Sequence, residues 1–239
     1  MIIIPARLHS NRLPNKLLLL LDRIPIIVRV ANIAKEIDDY IVACDSNEIL
    51  EVCKKHNINC ILTSNTHQSG TDRCAEAATK LKLKDSEIVI NLQGDEPFIE
   101  SQIIKDLKNA MLERQDSTFM ASCYKIIDEK NANDSNLVKV VLDKNSYALY
   151  FSRSKIPFNR ENVEQKYYGH LGIYAFSRKS LLEFCSLPHS YLENIEKLEQ
   201  LRAIWHKKNI FMLEVESKSI GIDTQEDYNK AQEILKNKC

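Results

Sequence analysis

The chain has 239 residues, of which 44% are hydrophobic and 28% are charged. These values are typical of a folded globular protein, and they exclude a disordered, collagen-like or coiled-coil chain. Lysine plus arginine equals aspartate plus glutamate at 33 each, so the net charge is zero. Because proteins that bind a nucleic-acid duplex usually carry a basic excess, we expect no nucleic-acid partner. A local anion site remains compatible with this balance.

Neither a membrane span nor a secretory leader is expected. The longest leucine run, residues 17–21, is far too short to cross a bilayer, and no basic segment opens the chain. The seven cysteines are odd in number and form no Cys-x-x-Cys pair. This pattern is typical of reduced thiols, and it predicts a cytoplasmic protein.

Short apolar runs alternate with segments of helical period through the first part of the chain. We predict strands at residues 2–5, 40–44, 60–63 and 88–92, and helices at residues 25–37, 46–56 and 71–81. Alternation of this kind predicts β-α-β units, and therefore an α/β fold with a mostly parallel sheet flanked by helices.

The pattern changes after residue 118. Strands are predicted at residues 119–126, 137–142, 147–151 and 167–176, followed by helices at 192–206 and 224–236 on either side of a strand near 211–215. No linker is visible, so we predict one domain over residues 1–239 with a β-rich insertion at about 119–176. Its apolar strands have too little helix to cover them, which predicts a homodimer interface.

The chain is sparing of glycine. It has only five, none before Gly70, which excludes a dinucleotide-binding or Walker A loop after the first strand. We predict that each glycine serves a special backbone conformation or a close approach, with an ordinary turn as the alternative.

A basic loop follows the first predicted strand. Arg7, Arg12 and Lys16 lie there among turn-forming residues, at the carboxyl edge where open α/β sheets bind ligands. Three cations in ten residues suit a polyphosphate. Alternatively, the segment is a solvated basic loop.

Two further clusters carry candidate metal ligands. Asp95 lies in Gln-Gly-Asp-Glu-Pro after the most apolar predicted strand, where an acid is a candidate Mg²⁺ ligand. Asp223 precedes a segment in which Thr224 and Asp227 resemble a helix cap, so Asp227 is predicted to be structural. We predict that Asp95 and Asp223 each end a strand and share one sheet edge. Alternatively, Asp223 is only a helix-terminal charge.

The remaining clusters are ambiguous by themselves. Gly70 and Thr71 suit either a plain helix cap or a ligand-binding helix start. His170 is either a core histidine or a site residue. Residues 192–206 are predicted to place Ile195, Leu198, Leu201 and Trp205 in one apolar stripe, with Glu199 and Gln200 beside it.

Taken together, the clusters resemble one family. The motifs occur in order between residues 4 and 228: Pro-Ala-Arg with Arg-Leu-Pro-x-Lys, His-Gln-Ser-Gly-Thr-Asp-Arg, Gln-Gly-Asp-Glu-Pro, Asn-Leu-Val-Lys-Val-Val, Ala-Leu-Tyr-Phe-Ser-Arg-Ser-x-Ile-Pro, His-Leu-Gly-Ile-Tyr, Leu-Glu-Gln-Leu-Arg and Gly-Ile-Asp-Thr-x-Glu-Asp. This series resembles the 3-deoxy-manno-octulosonate cytidylyltransferases (CMP-Kdo synthetases).

The resemblance implies a nucleotide-diphospho-sugar transferase fold, a homodimer and Mg²⁺. It implies that CTP and Kdo (3-deoxy-D-manno-octulosonate) give CMP-Kdo and pyrophosphate for lipopolysaccharide biosynthesis. The motifs favour Kdo over the rival reaction of the CMP-sialic acid synthetases. Retention of Asp95 and Asp223 argues against the other rival, a non-catalytic nucleotide-binding regulator.

The resemblance also assigns roles to residues. Catalysis would rest on Lys16, Arg12, Asp95 and Asp223, with Asp95 and Asp223 as the metal ligands. Nucleotide binding would involve Pro5, Ala6, Arg7, Arg12, Lys16, Gln68, Ser69, Gly70, Thr71, Arg73, Gln93 and Asp95. Sugar binding would involve Arg153, His170, Tyr174, Glu199 and Gln200.

Three positions depart from the family pattern. Asn15 stands where glycine is usual, Leu17 where proline is usual, and Gly169 where arginine is usual before His170. Since asparagine tolerates left-handed backbone, we expect the turn at Asn15 to be kept. Gly169 removes a cation expected near the sugar carboxylate, and residues 159–166 form a shorter segment than is usual.

Overall fold

A computed structural model describes residues 1–10, 12–161 and 163–236. Asn11 of the predicted phosphate loop, Asn162 and Cys239 lie outside the described residues. No helix in the described ranges is long and apolar enough to cross a membrane.

The strands and helices predicted over residues 2–92 occur in the alternating order that the sequence predicts. The strands are β1 Ile2–Ala6, β2 Leu20–Leu21, β3 Ile24–Pro25, β4 Tyr40–Cys44, β5 Cys60–Leu62, β6 Ile88–Asn91, β7 Met120–Ile127, β8 Lys139–Leu142, β9 Ala148–Ser152, β10 Tyr167–Ser177 and β11 Ile210–Glu214. The helices are α1 Ile26–Lys35, α2 Asn47–Lys55, α3 Gly70–Lys80, α4 Ser101–Glu113, α5 Glu129–Ala132, α6 Arg178–Ser186, α7 Tyr191–Glu196, α8 Leu201–Trp205 and α9 Gln225–Lys236.

The chain divides into two compact units, and the first comprises Met1–Lys105 and Ser217–Cys239. Within it, β6, β1, β4 and β5 pair in that order, and each pairing is parallel. Both faces of β1 are apolar, and all five of its residues are buried. Because the strands are parallel, the loops after β1, β4, β5 and β6 leave the sheet at one edge. This edge carries most of the predicted nucleotide residues.

The second unit is Asp106–Glu216. In it, β7 is antiparallel to β10 and parallel to β11, while β8 is antiparallel to both β10 and β9. The α/β class, with mixed strand pairing and flanking helices, is therefore as predicted. The predicted insertion at 119–176 lies within this unit. That the whole chain acts as one domain stays a prediction.

The single helix predicted at 192–206 is wrong. The structure has two shorter helices, α7 and α8, because Lys197 takes the left-handed conformation (φ 53°) that ends a helix. A capping box between Ser190 and Glu193 starts α7. The predicted apolar stripe is wrong in part: Ile195 and Trp205 are 66% and 52% exposed, while Leu198 and Leu201 are buried.

Helices α4, α5 and α6 and the β2–β3 hairpin are missing from the sequence prediction. The signal for α4 was present, since Ile103, Leu107 and Met111 lie four residues apart and are buried. For the glycines, the special-backbone alternative is wrong, because no described glycine has a positive φ. The close-approach alternative is correct for four of the five, Gly172 being the exception with open space around it.

Candidate active site

The turn after β6 lies directly against the end of β1. A Cβ atom added to Gly94 would lie 3.1 Å from the Pro5 carbonyl oxygen and 3.4 Å from Leu17 Cδ1. Any side chain at this position therefore needs its neighbours to move. The close contact brings Asp95, the next residue, to the edge of the sheet beside the loop that begins at Arg7.

Lys16 is the centre of the basic loop and is only 8% exposed. It starts a short 3-10 helix after Asn15, whose φ of 53° is left-handed, in line with the expectation for this departure from the family pattern. The Lys16 ammonium donates to Asp95 and to Asp223 Oδ1, the latter at 2.8 Å. Arg12 Nη2 donates to Asp223 Oδ2 at 2.8 Å. All four predicted catalytic residues thus form one connected cluster.

The charges in this cluster reinforce one another. Burial by itself would lower the pKa of Lys16, but the negative charges of Asp95 and Asp223 outweigh burial and raise it. Burial would raise the pKa of Asp223, but the hydrogen bond from Lys16 and the charges of Lys16 and Arg12 hold it below its usual value. Lys16 and Asp223 are therefore both ionised at neutral pH.

Asp223 reaches the cluster differently from the prediction. It does not end a strand, because residues 215–223 have no regular secondary structure. Instead, the Ile222 N–H donates to the Asp95 carbonyl oxygen at 2.9 Å, which holds the two aspartates side by side. Asp227 accepts the Thr224 N–H at 2.9 Å and the Asp223 N–H at 3.2 Å, so it has the capping role predicted for it.

Asp95 and Asp223 suit a divalent cation. Two carboxylates that contact one ammonium nitrogen are also able to contact one Mg²⁺, which prefers oxygen ligands and usually keeps several positions for water and phosphate. Within the described ranges, no group of three or more His, Cys, Asp or Glu side chains is arranged to hold a metal. A metal at Asp95 and Asp223 would thus need further ligands from the substrate or water.

The start of α3 forms the second part of the nucleotide edge. Ser69 caps the helix by accepting the Asp72 N–H at 3.1 Å, and a Cβ atom on Gly70 would lie 3.1 Å from Pro5 Cγ. Thr71 is buried and accepts a hydrogen bond from Asn91. Gln93 also contacts Asn91, whereas Gln68 is exposed and donates to the Thr66 carbonyl oxygen of its own loop. The helix start therefore lies against β1 and β6.

Arg73 is only 3% exposed, so its guanidinium contacts the protein interior below the nucleotide edge. It donates to Thr63 Oγ1 at 2.7 Å, to the Ser64 carbonyl oxygen at 3.0 Å and to Asp45 Oδ2 at 3.3 Å. Asp45 Oδ1 accepts the Leu8 N–H at 2.9 Å, so one carboxylate links α3 to the loop after β1. Asp45 is missing from the sequence prediction, although it is the first residue after β4 and so lies at the same edge of the sheet.

Glu76 is a second residue that sequence reasoning missed. It accepts the Ser64 N–H at 2.8 Å, contacts His67 Nε2 at 2.5 Å and pairs with Lys80 at 2.7 Å. These contacts tie the loop that leads into Gln68 and Ser69 to α3. One feature of the sequence could have indicated Glu76. It is an acidic residue in a predicted helix that begins at candidate site residues, on the side of the helix that faces the preceding loop.

In the second unit, three of the predicted sugar residues form a network. Gln200 is buried, accepts the Tyr174 hydroxyl proton at 3.2 Å and lies with its amide nitrogen 3.4 Å from His170 Nδ1. His170 Nε2 lies 2.9 Å from Ser122 Oγ. Because Nδ1 accepts from Gln200, Nε2 carries the proton and donates to Ser122.

Burial lowers the pKa of His170 to about 3, so the imidazole is neutral at physiological pH. Burial, followed by the charge of Glu199, raises the pKa of the Tyr174 hydroxyl. Neither side chain is suited to exchange protons near neutral pH. Instead, His170 and Tyr174 orient Gln200 and offer neutral hydrogen-bonding groups.

Arg153 is held by the end of α7. Its Nε donates to the Glu196 carbonyl oxygen at 2.9 Å and its Nη1 to the Ser135 carbonyl oxygen at 3.1 Å. The Glu196 carboxylate accepts the Arg153 N–H and the Ser152 hydroxyl. The guanidinium is therefore oriented by uncharged carbonyl groups, and sequence reasoning missed Glu196 as the residue that positions it.

Gly169 faces an apolar cluster. A Cβ atom there would lie 3.0 Å from Ile127 Cγ2 and 3.5 Å from Leu137 Cδ1. These residues pack with Ala132 and Tyr167, so an arginine at position 169 would have to displace part of this cluster. In this chain, a glycine at position 169 therefore fits beside the apolar cluster, whereas the arginine that is usual in the family would not.

Comparison with known proteins identifies the family. A family model described as cytidylyltransferase matches residues 1–210. The 3-deoxy-manno-octulosonate cytidylyltransferase of Wolinella succinogenes is 55% identical, over 98% of this chain and 99% of that protein. The protein of the same name from Helicobacter acinonychis is 50% identical, over 98% and 97%.

A solved structure of CMP:2-keto-3-deoxy-manno-octonic acid synthetase complexed with CTP matches the whole fold. Its TM-score is 0.93 at 35% identity, and the match covers 100% of this chain and 98% of that one. The predicted nucleotide-diphospho-sugar transferase fold is thereby confirmed. Since the family model and the near-complete relatives agree, the chain belongs to the 3-deoxy-manno-octulosonate cytidylyltransferases, a family of nucleotidyltransferase enzymes.

Proposed function

We propose that the protein transfers CMP from CTP to Kdo, giving CMP-Kdo and pyrophosphate. The observation that carries the proposal is the cluster in which Lys16 and Arg12 meet Asp95 and Asp223 at the carboxyl edge of the sheet. Paired carboxylates beside a basic loop suit a metal-bound triphosphate, and relatives at 50–55% identity carry the name of this enzyme. By the same reasoning we propose a role in lipopolysaccharide biosynthesis and a cytoplasmic location.

Nucleotide binding is assigned to the first unit. Arg7, Arg12 and Lys16 would hold the triphosphate, because guanidinium and ammonium groups donate several hydrogen bonds to phosphate oxygens. Gln68 and the start of α3 would contact the cytidine. The buried Arg73 would support this edge through Asp45 rather than touch the nucleotide.

Asp95 and Asp223 are the residues that would hold Mg²⁺. When bound, Mg²⁺ neutralises phosphate charge and favours the ionised form of a hydroxyl that attacks phosphorus. Both carboxylates already contact a cation, Lys16, so the donor set and its charge fit this role.

In the reaction, the anomeric hydroxyl oxygen of Kdo forms a bond to the α-phosphorus of CTP. The hydroxyl proton is released to water, the bond from that phosphorus to the pyrophosphate oxygen breaks, and pyrophosphate leaves. Lys16 and Arg12 would stabilise the negative charge that develops on the departing group. No nucleophilic side chain is needed, because positioning and charge neutralisation supply most of the acceleration in phosphoryl transfer.

The sugar residues of the second unit would orient Kdo. Arg153 offers a cation for the sugar carboxylate, and the neutral His170, Tyr174 and Gln200 network offers fixed hydrogen-bonding groups. We assign Glu199 to the same set, since its charge acts on Tyr174. We also propose that the protein is a homodimer.

Pyrophosphate release from CTP tests the proposed function. We expect release with Kdo and Mg²⁺, and background release with N-acetylneuraminic acid or with EDTA. Release with the nine-carbon acid in place of Kdo would identify the rival CMP-sialic acid reaction. Binding of CTP without release with either sugar would identify a non-catalytic nucleotide-binding protein.

A further inference from the structure

The segment that delivers Asp223 has no helix or strand to place it. Residues 215–223 lack regular secondary structure, and the first unit resumes at Ser217. Asp223 must nevertheless stay beside Asp95, a group of the same charge. Side chains outside the catalytic cluster therefore have to fix the path of this segment.

Glu100 holds the beginning of the segment with both carboxylate oxygens. Its Oε2 accepts the Ser217 hydroxyl at 2.8 Å, and its Oε1 accepts the Lys218 N–H at 2.8 Å. Hydrogen bonds to an ionised carboxylate are about twice as strong as those between neutral groups. The bidentate contact thus fixes two consecutive residues of an otherwise irregular chain.

Glu96 holds the middle of the segment. Its Oε2 accepts the Ser219 hydroxyl at 2.8 Å. A Cβ atom on Gly221 would lie 2.8 Å from Glu96 Oε1, so a side chain at 221 would need Glu96 to move. One residue later, Ile222 is fully buried and its N–H donates to the Asp95 carbonyl oxygen. The contacts lead stepwise from Ser217 to the metal carboxylate.

We infer that Glu96 and Glu100 are positioning residues, which seat residues 217–221 so that Asp223 and Asp95 can hold the same cation. Both glutamates contact residues 217–219, which lead along the chain to Asp223, so both act through Asp223. The inference rests on the proposed function, because it assumes that Asp223 serves a metal-bound nucleotide. It adds two residues to which no catalytic or binding role has been assigned.

The test measures binding rather than turnover. The dissociation constant of CTP is determined by calorimetry in EDTA and again in Mg²⁺, without any sugar, and the ratio of the two gives the contribution of the metal. We expect Glu100→Ala to reduce this ratio about tenfold, the equivalent of one charge-assisted hydrogen bond, and to leave CTP binding in EDTA within about twofold.

Two further variants make the test specific. Glu100→Gln should keep most of the ratio, because its amide oxygen can accept the Lys218 N–H while its amide nitrogen donates to Ser217 Oγ. In an Asp223→Asn background, Glu100→Ala should change the ratio no further. Glu87→Ala is the matched control, since Glu87 also accepts a backbone N–H, from Lys84, at a site remote from this segment.

An unchanged ratio in folded Glu100→Ala, or an equal loss in the Asp223→Asn background, would overturn the inference. If Glu100→Ala does not fold, the variant with Ser217→Ala and Ser219→Ala carries the test, because it removes two donors and keeps both acids. Pyrophosphate release by the unmodified enzyme tests the proposed function separately. An active wild type with an unaffected ratio in these variants refutes the positioning role alone.

Discussion

Lys16 has an unusual environment for a lysine, since it is nearly buried and lies between two carboxylates. Its charge is retained because Asp95 and Asp223 outweigh the cost of burial. Removing the ammonium leaves those two carboxylates facing each other, with Arg12 still in contact with Asp223. Lys16 thus compensates the negative charge of the two aspartates and also belongs to the proposed triphosphate site.

We expect Lys16→Ala to lower kcat/KM for CTP by roughly two to three orders of magnitude, as for other charge-stabilising donors. Steady-state kinetics at saturating Kdo measure this effect. Lys35→Ala, at the exposed end of α1, is the control and should be near wild type. A loss of less than about threefold would mean that Lys16 belongs to a solvated loop without a role in catalysis.

For Asp95 and Asp223 we predict effects that do not add, because two ligands of one metal act as a unit. We expect Asp223→Asn and Asp95→Asn each to reduce turnover at saturating CTP and Mg²⁺ by at least about a hundredfold. The double variant should be little worse than either single one, since non-additivity is typical of residues that act together.

The exposed Asp39→Asn is the control for this pair and should leave turnover unchanged. Circular dichroism should find Asp223→Asn folded, because the amide keeps the shape of the carboxylate. Near-normal turnover of Asp223→Asn would leave Asp95 as the sole protein carboxylate on the metal.

At the scale of elements, the beginning of α3 depends on contacts from outside its own turn. Glu76, in the second turn, reaches back to Ser64 and His67, which lie on the loop before the helix. Burial by itself would raise the pKa of Glu76, but the hydrogen bonds from Lys80, Ser64 and His67 lower it to about 2. The ionised carboxylate therefore stabilises the loop that leads to Gln68.

This shift predicts a pH dependence for stability. A carboxyl group whose pKa is lower in the folded state stabilises that state above its unfolded pKa of about 4.3, and loses this contribution as the pH falls toward about 2. We expect Glu76→Gln to reduce the free energy of unfolding by about 2–3 kcal/mol at pH 7. The difference from wild type should shrink steadily between pH 4.5 and pH 2, in the range that the two pKa values define.

Urea unfolding of both proteins at several pH values measures this difference. Glu113→Gln is the control, since Glu113 is exposed and pairs with its sequence neighbour Arg114. A difference that is constant from pH 7 to pH 2.5 would show that the Glu76 charge does not stabilise the loop.

At the scale of the whole molecule, several large apolar side chains of the second unit face solvent. Phe158 is 83% exposed, and Leu149, Val163 and Ile126 are each 45% exposed or more. Leu149 lies on β9, which in the described ranges pairs only with β8 and so has an open edge. Exposed apolar side chains beside an open strand edge are typical of a surface that a second protein covers.

We expect the protein to sediment with twice the mass of one chain at micromolar concentration. Leu149→Asp should shift it to the mass of one chain, because an aspartate costs little on a free surface and much in an apolar interface. Leu112→Asp, on the exposed face of α4, should remain dimeric. A wild-type mass of a single chain would refute the proposed homodimer.

The sequence by itself determined the order of β1, β4, β5 and β6 and of the three helices between them, and the residue types at the carboxyl edge of these strands. Local information was sufficient there, because apolar periodicity reports burial along each segment and parallel strands bring their ends to one edge. The motif series was sufficient for the family. It placed Lys16, Asp95 and Asp223 in one proposed site although they are far apart in the chain.

Only the tertiary structure decided how those residues meet. The break at Lys197, the roles of Asp45 and Glu76, and the path of residues 217–221 all depend on contacts between distant segments. From the sequence alone, an aspartate or glutamate that accepts a backbone N–H cannot be distinguished from one that is exposed on the surface. Hydrogen bonds across the fold, and the space left by Gly94 and Gly221, distinguish the two, and these exist only once the chain has packed.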